Sequence, residues 1–125
     1  MHKKVALLLR IIVAIILIQT LRYKFTAHPD SVYIFETVGL EPVGRIFIGI
    51  IELLAGILLL IPRTIWIGAT LTLGVIGGAI FLHLTKLGIV VNNDSGILFS
   101  TAIITFSLAT IILYNYRTQI PVNKK

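Results

Sequence analysis

The stretch GRIFIGIIELLAG, residues 44–56, decides the fold, because it is apolar enough for a membrane helix and yet carries Arg45 and Glu52. Together with Gly49 and Gly56, these charges occupy positions i, i+4, i+7 and i+11, which form one stripe of an α-helix. A charge at the bilayer centre costs about 2.5–3.5 kcal/mol, so such a stripe faces the interior of a bundle. Glycines on the same stripe allow another helix to come close. The stretch therefore predicts a transmembrane helix that packs against others.

The rest of the chain supplies partners for this helix. Of its 125 residues, 57% are hydrophobic and 13% are charged, and the mean hydropathy is +1.00. This composition lies outside the usual range of soluble domains. We expect an all-α, up-and-down four-helix transmembrane bundle that forms a single domain over residues 1–125. Its apolar runs predict helices at about residues 5–24, 43–61, 65–85 and 96–115.

The connections between these runs carry signals of their own. In the loop over residues 25–42, Asp30 or Ser31 as N-cap and Gly39 beyond the last turn predict a short helix at the membrane interface. The turn at residues 62–64 is so tight that the helices on either side must be antiparallel neighbours. A later connection contains residues typical of turns and N-caps: Asn92, Asn93, Asp94 and Ser95.

The distribution of charge predicts the orientation in the membrane. One end of the bundle would hold basic residues without acids: Lys3, Lys4, Arg63, Arg117, Lys124 and Lys125. The other end would mix both signs: Arg22, Lys24, Lys86, Asp30, Glu36, Glu41 and Asp94. The positive-inside rule then predicts a multi-pass protein of a bacterial-type cytoplasmic membrane, with both termini in the cytoplasm. Because this bias accounts for the net charge of +6, and no soluble basic face exists, we exclude nucleic acid as a partner.

Four polar residues from three helices fall in the outer half of the expected bundle. Arg45 lies near the outer surface, and Glu52 lies roughly 10 Å deeper, given the helical rise. Lys24 closes the first helix and His83 lies near the outer end of the third. We expect a cavity there, open to or capped at the outer face, with these four residues as candidates for ligand binding or proton exchange. The inner half offers no comparable set, since Arg10 can reach back toward Lys3 and Lys4.

Each of these residues also has a structural interpretation that stays open. Glu52 can hold two helices in register, Arg45 can anchor at lipid phosphate, and His83 can be a satisfied residue at a helix end. Lys24 is typical of a side chain that extends to the interface.

Small and hydroxyl residues predict the packing faces of the third and fourth helices. Gly74 and Gly78 form a G-x-x-x-G pattern, which predicts close packing within the bundle. On the third helix, a stripe of Thr72, Ile76, Ala79 and His83 is expected to face inward. On the fourth, near-helical spacing predicts an inward polar face of Gly96, Ser100, Ser107 and Thr110.

Several kinds of site are excluded by what the chain lacks. It has no cysteine, so disulfides, thiolate metal sites and iron–sulfur ligation are ruled out. His83 is the one histidine at membrane depth, whereas a haem held by two histidines would need a pair. His83 and Glu52 are too few for a transition-metal site. A redox role would therefore need a bound quinone, another diffusible cofactor or a partner subunit.

The order and spacing of these pieces resemble the DoxX family of small membrane proteins, over roughly residues 20–110. The pieces are YKFTAHPDSVYIFETVGLEP, then Arg45 followed by ELLAGILLLIP from Glu52, then TLGVIGGAIFLHL ending in His83. Lys24 matches the family's lysine after the first helix, Arg45 and Glu52 its second-helix pair, and His83 its third-helix histidine. The resemblance implies a four-helix transmembrane bundle. It also implies an association with membrane oxidoreductase systems that use a quinone.

We therefore expect an accessory or ligand-binding subunit of a quinone-linked membrane redox system, without catalytic activity of its own. Its partners would be the lipid bilayer and a redox subunit, and a homo-oligomer is a further expectation. The alternative is a structural or assembly protein whose buried charges only set helix packing. A small-solute transporter is less favoured, because four helices without broken or repeated segments are few for alternating access.

Overall fold

The computed structural model describes residues 2–26, 28–88 and 96–120, and within these ranges the chain is helical with no strand. The α-helices are α1 (Lys3–Phe25), α2 (Pro29–Thr37), α3 (Val43–Leu60), α4 (Ile65–Leu82) and α5 (Ile97–Asn115). A π-helical turn, His83–Leu87, continues α4, and a 3₁₀ turn, Arg117–Gln119, follows α5. The predicted connection through residues 92–95 lies outside the described residues.

Four of the described helical segments are long and apolar enough to cross a membrane, namely Lys3–Arg22, Val43–Leu60, Ile65–Leu87 and Ile97–Asn115. They form a ring, in which α1 and α4 lie opposite each other and each packs against both α3 and α5. Helix α1 packs antiparallel to α3, so the end of α1 lies beside the start of α3. We call this the α2 end of the bundle, because α2 lies there. The opposite end holds the turn between α3 and α4, and we call it the Pro62 end. The predicted all-α four-helix bundle is confirmed.

The short helix α2 lies in the loop in which the sequence predicted a helix, but it begins before the predicted N-cap residues. Its first residue is Pro29, which has a backbone suited to the first helical position, so the N-cap position falls at His28. The prediction of Asp30 or Ser31 as N-cap is wrong. Gly39 does end the helix, with φ +78, and it donates a hydrogen bond to the Glu36 carbonyl. The helix contacts α1, α3 and the π turn, so it covers one end of the bundle.

The dry core of the bundle lies toward the Pro62 end. Seven apolar residues form it: Val13, Leu17, Ala55, Leu59, Ile65, Ala69 and Ile112. The tightest helix contact is here, because a Cβ at Gly68 of α4 would lie 2.7 Å from the Leu59 nitrogen and 2.9 Å from the Ala55 carbonyl oxygen of α3. Backbone therefore meets backbone between α3 and α4.

Arg10 and the chain after α5 close the Pro62 end. Arg10 is buried and its Nε donates to the Leu59 carbonyl at 2.7 Å, with the guanidinium carbon 5.8 Å from the Tyr116 ring centroid. Gln119 donates to the Pro62 carbonyl at 2.6 Å and accepts from the Trp66 backbone N–H at 3.3 Å. Arg10 thus lies at the end of the bundle where α1 begins with Lys3 and Lys4. It binds inside the bundle there, because the last carbonyls of α3 lack partners within their own helix.

Candidate ligand-binding cavity

The stripe of α3 that carries two charges and two glycines faces the bundle interior, as its spacing predicts. Arg45, Gly49, Glu52 and Gly56 are all buried. A Cβ at Gly49 would lie 2.8 Å from the Phe25 ring, and one at Gly56 would lie 3.3 Å from Ile18. The two glycines therefore let α1 approach α3, which brings the end of α1 against the charged residues of α3.

Glu52 meets Lys24 across this contact. The Lys24 ammonium lies 2.9 Å from Glu52 Oε1, and the two side chains are 17% and 4% exposed. This contact is at hydrogen-bonding distance, so Lys24 both neutralises Glu52 and occupies one acceptor position of its carboxylate. The carboxylate keeps further lone pairs that can accept hydrogen bonds.

Arg45 has different partners. Its Nε donates to both carboxylate oxygens of Glu41, at 2.9 and 3.0 Å, and its Nη1 donates to the backbone carbonyl of Lys24. The guanidinium therefore fixes the backbone from which the Lys24 side chain extends. Arg45 does not line the cavity described below.

His83 is placed by the π turn that ends the third span. This turn buries His83 and Leu87, and it ends at Gly88 with φ +78. His83 Nδ1 lies 2.9 Å from the Gly88 carbonyl oxygen. A carbonyl can only accept, so Nδ1 carries the proton, and Nε2 is the acceptor of a neutral ring. The imidazole also packs edge-on against Phe99, with ring centroids 5.5 Å apart.

A cavity of about 750 Å³ occupies the α2 end, and Lys24, Glu52 and His83 all line it. This volume lies within the range of small-molecule sites, about 300–1,000 Å³. Every α-helix contributes to the lining, and α2 does so through Ser31, Ile34 and Phe35. Most of the wall is apolar, with a small number of polar groups. The structure thus brings together three of the four residues singled out in the sequence and leaves out Arg45.

Further polar residues of the lining were not predicted. They are Gln19, Thr20, Ser31, Thr101 and Thr105. Thr105 is fully buried, and its hydroxyl donates to the Thr101 carbonyl at 2.8 Å. Gln19 had one usable signal, since it is the first polar residue after the apolar run at residues 11–18 of α1. The threonines had none, because hydroxyl residues occur on every face of these helices.

Two predicted packing faces are wrong. Gly96, just before α5, is buried, but Ser100, Ser107 and Thr110 are exposed, and the inward face of α5 is formed by Ala102, Thr105, Ala109 and Ile112. On α4, Gly74 and Gly78 are exposed, and no atom of the described residues lies within 4 Å of a Cβ built on either one. Within the described part of the chain they form no close helix contact, and they line the cavity instead. At the Pro62 end, the buried charged residue in the described part of the chain is Arg10.

A ring of four apolar helices with a covered, mostly apolar cavity at one end defines a small multi-pass membrane protein. The family model of DoxX matches residues 5–85, well over half of the chain, and the protein belongs to the DoxX family. This match begins near the start of α1 and ends inside the π turn, so it covers Lys24, Arg45, Glu52 and His83 and leaves out α5. No curated protein and no solved structure matches the chain.

Proposed function

We propose that the protein binds a small, uncharged, quinone-like molecule in the cavity at the α2 end. In this proposal it serves as an accessory subunit of a quinone-linked membrane redox system, without catalytic activity of its own. The observation that carries the proposal is the pair of Lys24 and Glu52 on the wall of a mostly apolar cavity. Ionisable residues within membrane bundles commonly mark the path or the site of a ligand, and this pair lines a cavity large enough for one.

The charges of the site favour an uncharged ligand. Lys24 and Glu52 neutralise each other, and Arg45 and Glu41 form a second pair beside them. An ionic ligand would add an unbalanced charge to an apolar site, which is costly. A quinone head group instead presents carbonyl oxygens, which can accept from the Lys24 ammonium, and its reduced form presents hydroxyls, which can donate to Glu52 Oε1 or His83 Nε2. Such a molecule uses the free hydrogen-bonding capacity of all three residues.

Glu52 and His83 also support a role in proton exchange. Both are buried side chains that can hold or release a proton, and both line the same cavity. Reduction of a quinone consumes protons as well as electrons, so a site for this ligand profits from acids and bases at its wall. Arg45 contributes as a positioning residue, since it contacts the backbone of Lys24 and not the cavity.

The test of ligand binding compares two carboxylates. The full chain is reconstituted in lipid nanodiscs and titrated by calorimetry with a dimethoxy-methyl benzoquinone that bears a decyl chain. We expect Glu52→Gln to weaken binding about ten-fold, whereas the control Glu36→Gln, which makes the same charge change at an exposed position outside the cavity, leaves it unaltered. Equal affinity of Glu52→Gln and the unmodified protein would contradict the proposal. His83→Gln provides a second variant, in which the side chain can still donate and accept hydrogen bonds.

A structural role is the second candidate, because the members of both pairs find partners within the chain. On this alternative, Lys24 and Glu52 only fix α1 against α3. Replacing both residues together by Met and Gln then preserves folding and every phenotype. A double variant that folds but no longer supports the phenotype of the intact gene would exclude the structural role.

The orientation is part of the proposal. Basic residues dominate the Pro62 end and both termini, so we propose that this end faces the cytoplasm and the α2 end faces outward. The natural chain has no cysteine, which permits a direct test. Glu36→Cys is expected to react with a membrane-impermeant maleimide in intact cells, and Arg63→Cys only after lysis. The reverse pattern would invert the orientation.

A further inference from the structure

The helix α4 presents two opposite faces to the same cavity. Its inward stripe contributes Ile76, Ala79 and His83 to the lining. Its outward stripe consists of exposed residues at helical spacing: Thr70, Gly74, Gly78, Phe81 and Thr85. Gly74, Gly78 and Phe81 of that outward stripe also line the cavity, and Phe81 is 64% exposed. A cavity that touches both faces of one helix of the ring extends past that helix to the outer surface of the bundle.

The cavity passes between α4 and α3 on its way to the outer surface, and we call this part of it the passage. Gly68 packs directly on the α3 backbone, and Val75 and Leu82 follow at steps of seven residues, which return to nearly the same side of a helix. Val75, Leu82 and Ile48 of α3 all line the cavity. The helices α3 and α4 are therefore in tight contact at the Pro62 end, and cavity space lies between them toward the α2 end.

Glycine keeps the outer part of this passage wide. Among the residues that the structure describes, no atom lies within 4 Å of a Cβ built on Gly74 or Gly78, so glycine leaves space beside α4 that a larger side chain would fill. The inner part of the cavity holds Glu52, which is 3% exposed and whose carboxylate keeps acceptor capacity beyond its contact with Lys24. One continuous cavity thus joins a buried polar atom to an outer surface at membrane depth.

We infer that the cavity opens sideways into the bilayer along α4 and takes an amphiphile with an uncharged polar head and a hydrocarbon chain. The head lies between Lys24, Glu52 and His83, and the chain leaves the protein past Gly74 and Gly78. The placement of the head rests on the proposed function; the sideways opening does not. A ligand that enters this way keeps its chain in hydrocarbon throughout, so it needs no water-filled route to the buried ion pair.

The first test fills the passage without disturbing the head site. Gly74→Leu combined with Gly78→Leu is compared with Thr70→Leu, which adds bulk to the same outward stripe outside the cavity lining. The probes are a dimethoxy-methyl benzoquinone bearing a decyl chain and the same quinone without the chain. We expect the double leucine variant to bind the decyl quinone at least about ten-fold more weakly. It should keep its affinity for the chainless quinone, and Thr70→Leu should bind both normally.

Unchanged affinity of the double leucine variant for the decyl quinone would overturn the sideways opening and leave the proposed function standing. Oligomeric state is followed in parallel by native mass spectrometry. If the unmodified protein is a dimer and the double leucine variant a monomer, the glycines serve a protein contact and the inference fails.

A second test needs no quinone, so it separates the opening from the proposed function. Ile76→Trp places a fluorophore on the inward face, in a protein whose one natural tryptophan is removed by Trp66→Phe. In vesicles with brominated lipid chains, we expect strong quenching of this fluorophore and loss of quenching when both glycines are leucine. An unquenched Ile76→Trp would show a cavity closed to lipid, whatever the result with quinones.

Discussion

Glu52 and Arg45 share one stripe of α3, yet they depend on different parts of the chain. Glu52 is neutralised by Lys24 at the end of α1, whereas Arg45 is neutralised by Glu41 one turn earlier in the sequence. Arg45 also binds the Lys24 carbonyl, where the negative end of the α1 dipole lies. The two pairs are therefore linked through Lys24, whose backbone belongs to one pair and whose side chain belongs to the other.

Breaking the deeper pair from one side should cost more than removing it. Lys24→Met leaves the buried Glu52 carboxylate without its counter-charge, and we expect a loss of about 3 kcal/mol in the free energy of unfolding. Adding Glu52→Gln removes the orphaned charge and should recover most of that loss. The measurement is unfolding in mixed detergent micelles followed by circular dichroism. A double variant that is as unstable as Lys24→Met would contradict the assigned pairing.

Arg45 should not be replaceable by lysine. A single ammonium cannot contact the Glu41 carboxylate and the Lys24 carbonyl in the way the planar guanidinium does. We expect Arg45→Lys to lose about 2 kcal/mol of stability, in line with charge-assisted hydrogen bonds. The control is Arg63→Lys, at an exposed position in the turn between α3 and α4, which should be neutral in the same unfolding assay.

At the level of single residues, the sequence predicted the position of a side chain best where exposing its charge to lipid would cost much free energy. Glu52 could be predicted to face inward because its carboxylate cannot reach water from the middle of α3. Lys24 and His83 could be grouped with it by order and spacing alone. The exclusion of Arg45 from the cavity depends on Glu41, whose position is set by the chain just before α3. The i, i+4 spacing of Glu41 and Arg45 was the one signal for that contact, but it was not used in the prediction because Glu41 precedes the predicted helix.

The helices pack more tightly at the Pro62 end than at the α2 end, and the surroundings of two glycines of α4 show this difference. A Cβ at Gly68 would meet α3 backbone, which cannot move aside, whereas one at Gly74 would meet no described residue within 4 Å. We expect Gly68→Ala to destabilise the protein by about 1–3 kcal/mol through forced separation of α3 and α4. Gly74→Ala on the same helix should be neutral or stabilising by up to about 1 kcal/mol, because alanine favours the helix. The measurement is the melting temperature of each variant, and we expect that of Gly68→Ala to be the lower of the two.

Hydroxyl residues misled the prediction for α5 for a physical reason. Ser107 and Thr110 donate to the Ile103 and Phe106 carbonyls one turn back, so each is satisfied within its own helix. A serine or threonine can therefore face hydrocarbon without cost, and its position does not indicate an inward face. The π turn after α4 was not predictable either, since Leu82 and His83 continue an ordinary helical pattern.

The whole molecule is held at the Pro62 end by contacts between distant parts of the chain. Gln119 bonds to Pro62 and Trp66, and Arg10 joins α1 to the end of α3. We expect Gln119→Ala to lower stability by about 1–2 kcal/mol, since two hydrogen bonds are lost. The neighbouring Thr118→Ala, at an exposed position, serves as control. A shift in Trp66 fluorescence should accompany the first change and not the second.

The bundle as a whole follows from hydropathy, because a chain with four apolar runs and short turns has few ways to satisfy its backbone in lipid. The cavity does not follow, since its volume is a sum of small gaps between helices. The periodicity of the sequence predicts which face of each helix points inward. The distance between two facing helices depends on every side chain between them, so it cannot be predicted in this way.

Tight packing and the cavity occupy opposite ends of the same four helices, and this separation has a consequence for how the protein can change over generations. Substitutions among the apolar residues around Glu52 touch open space, so they leave the contacts at Gly68 and Leu59 intact. Selection can remodel the α2 end while the other end preserves the architecture. One scaffold of this kind can therefore vary the shape and chemistry of its cavity without first acquiring extra stability.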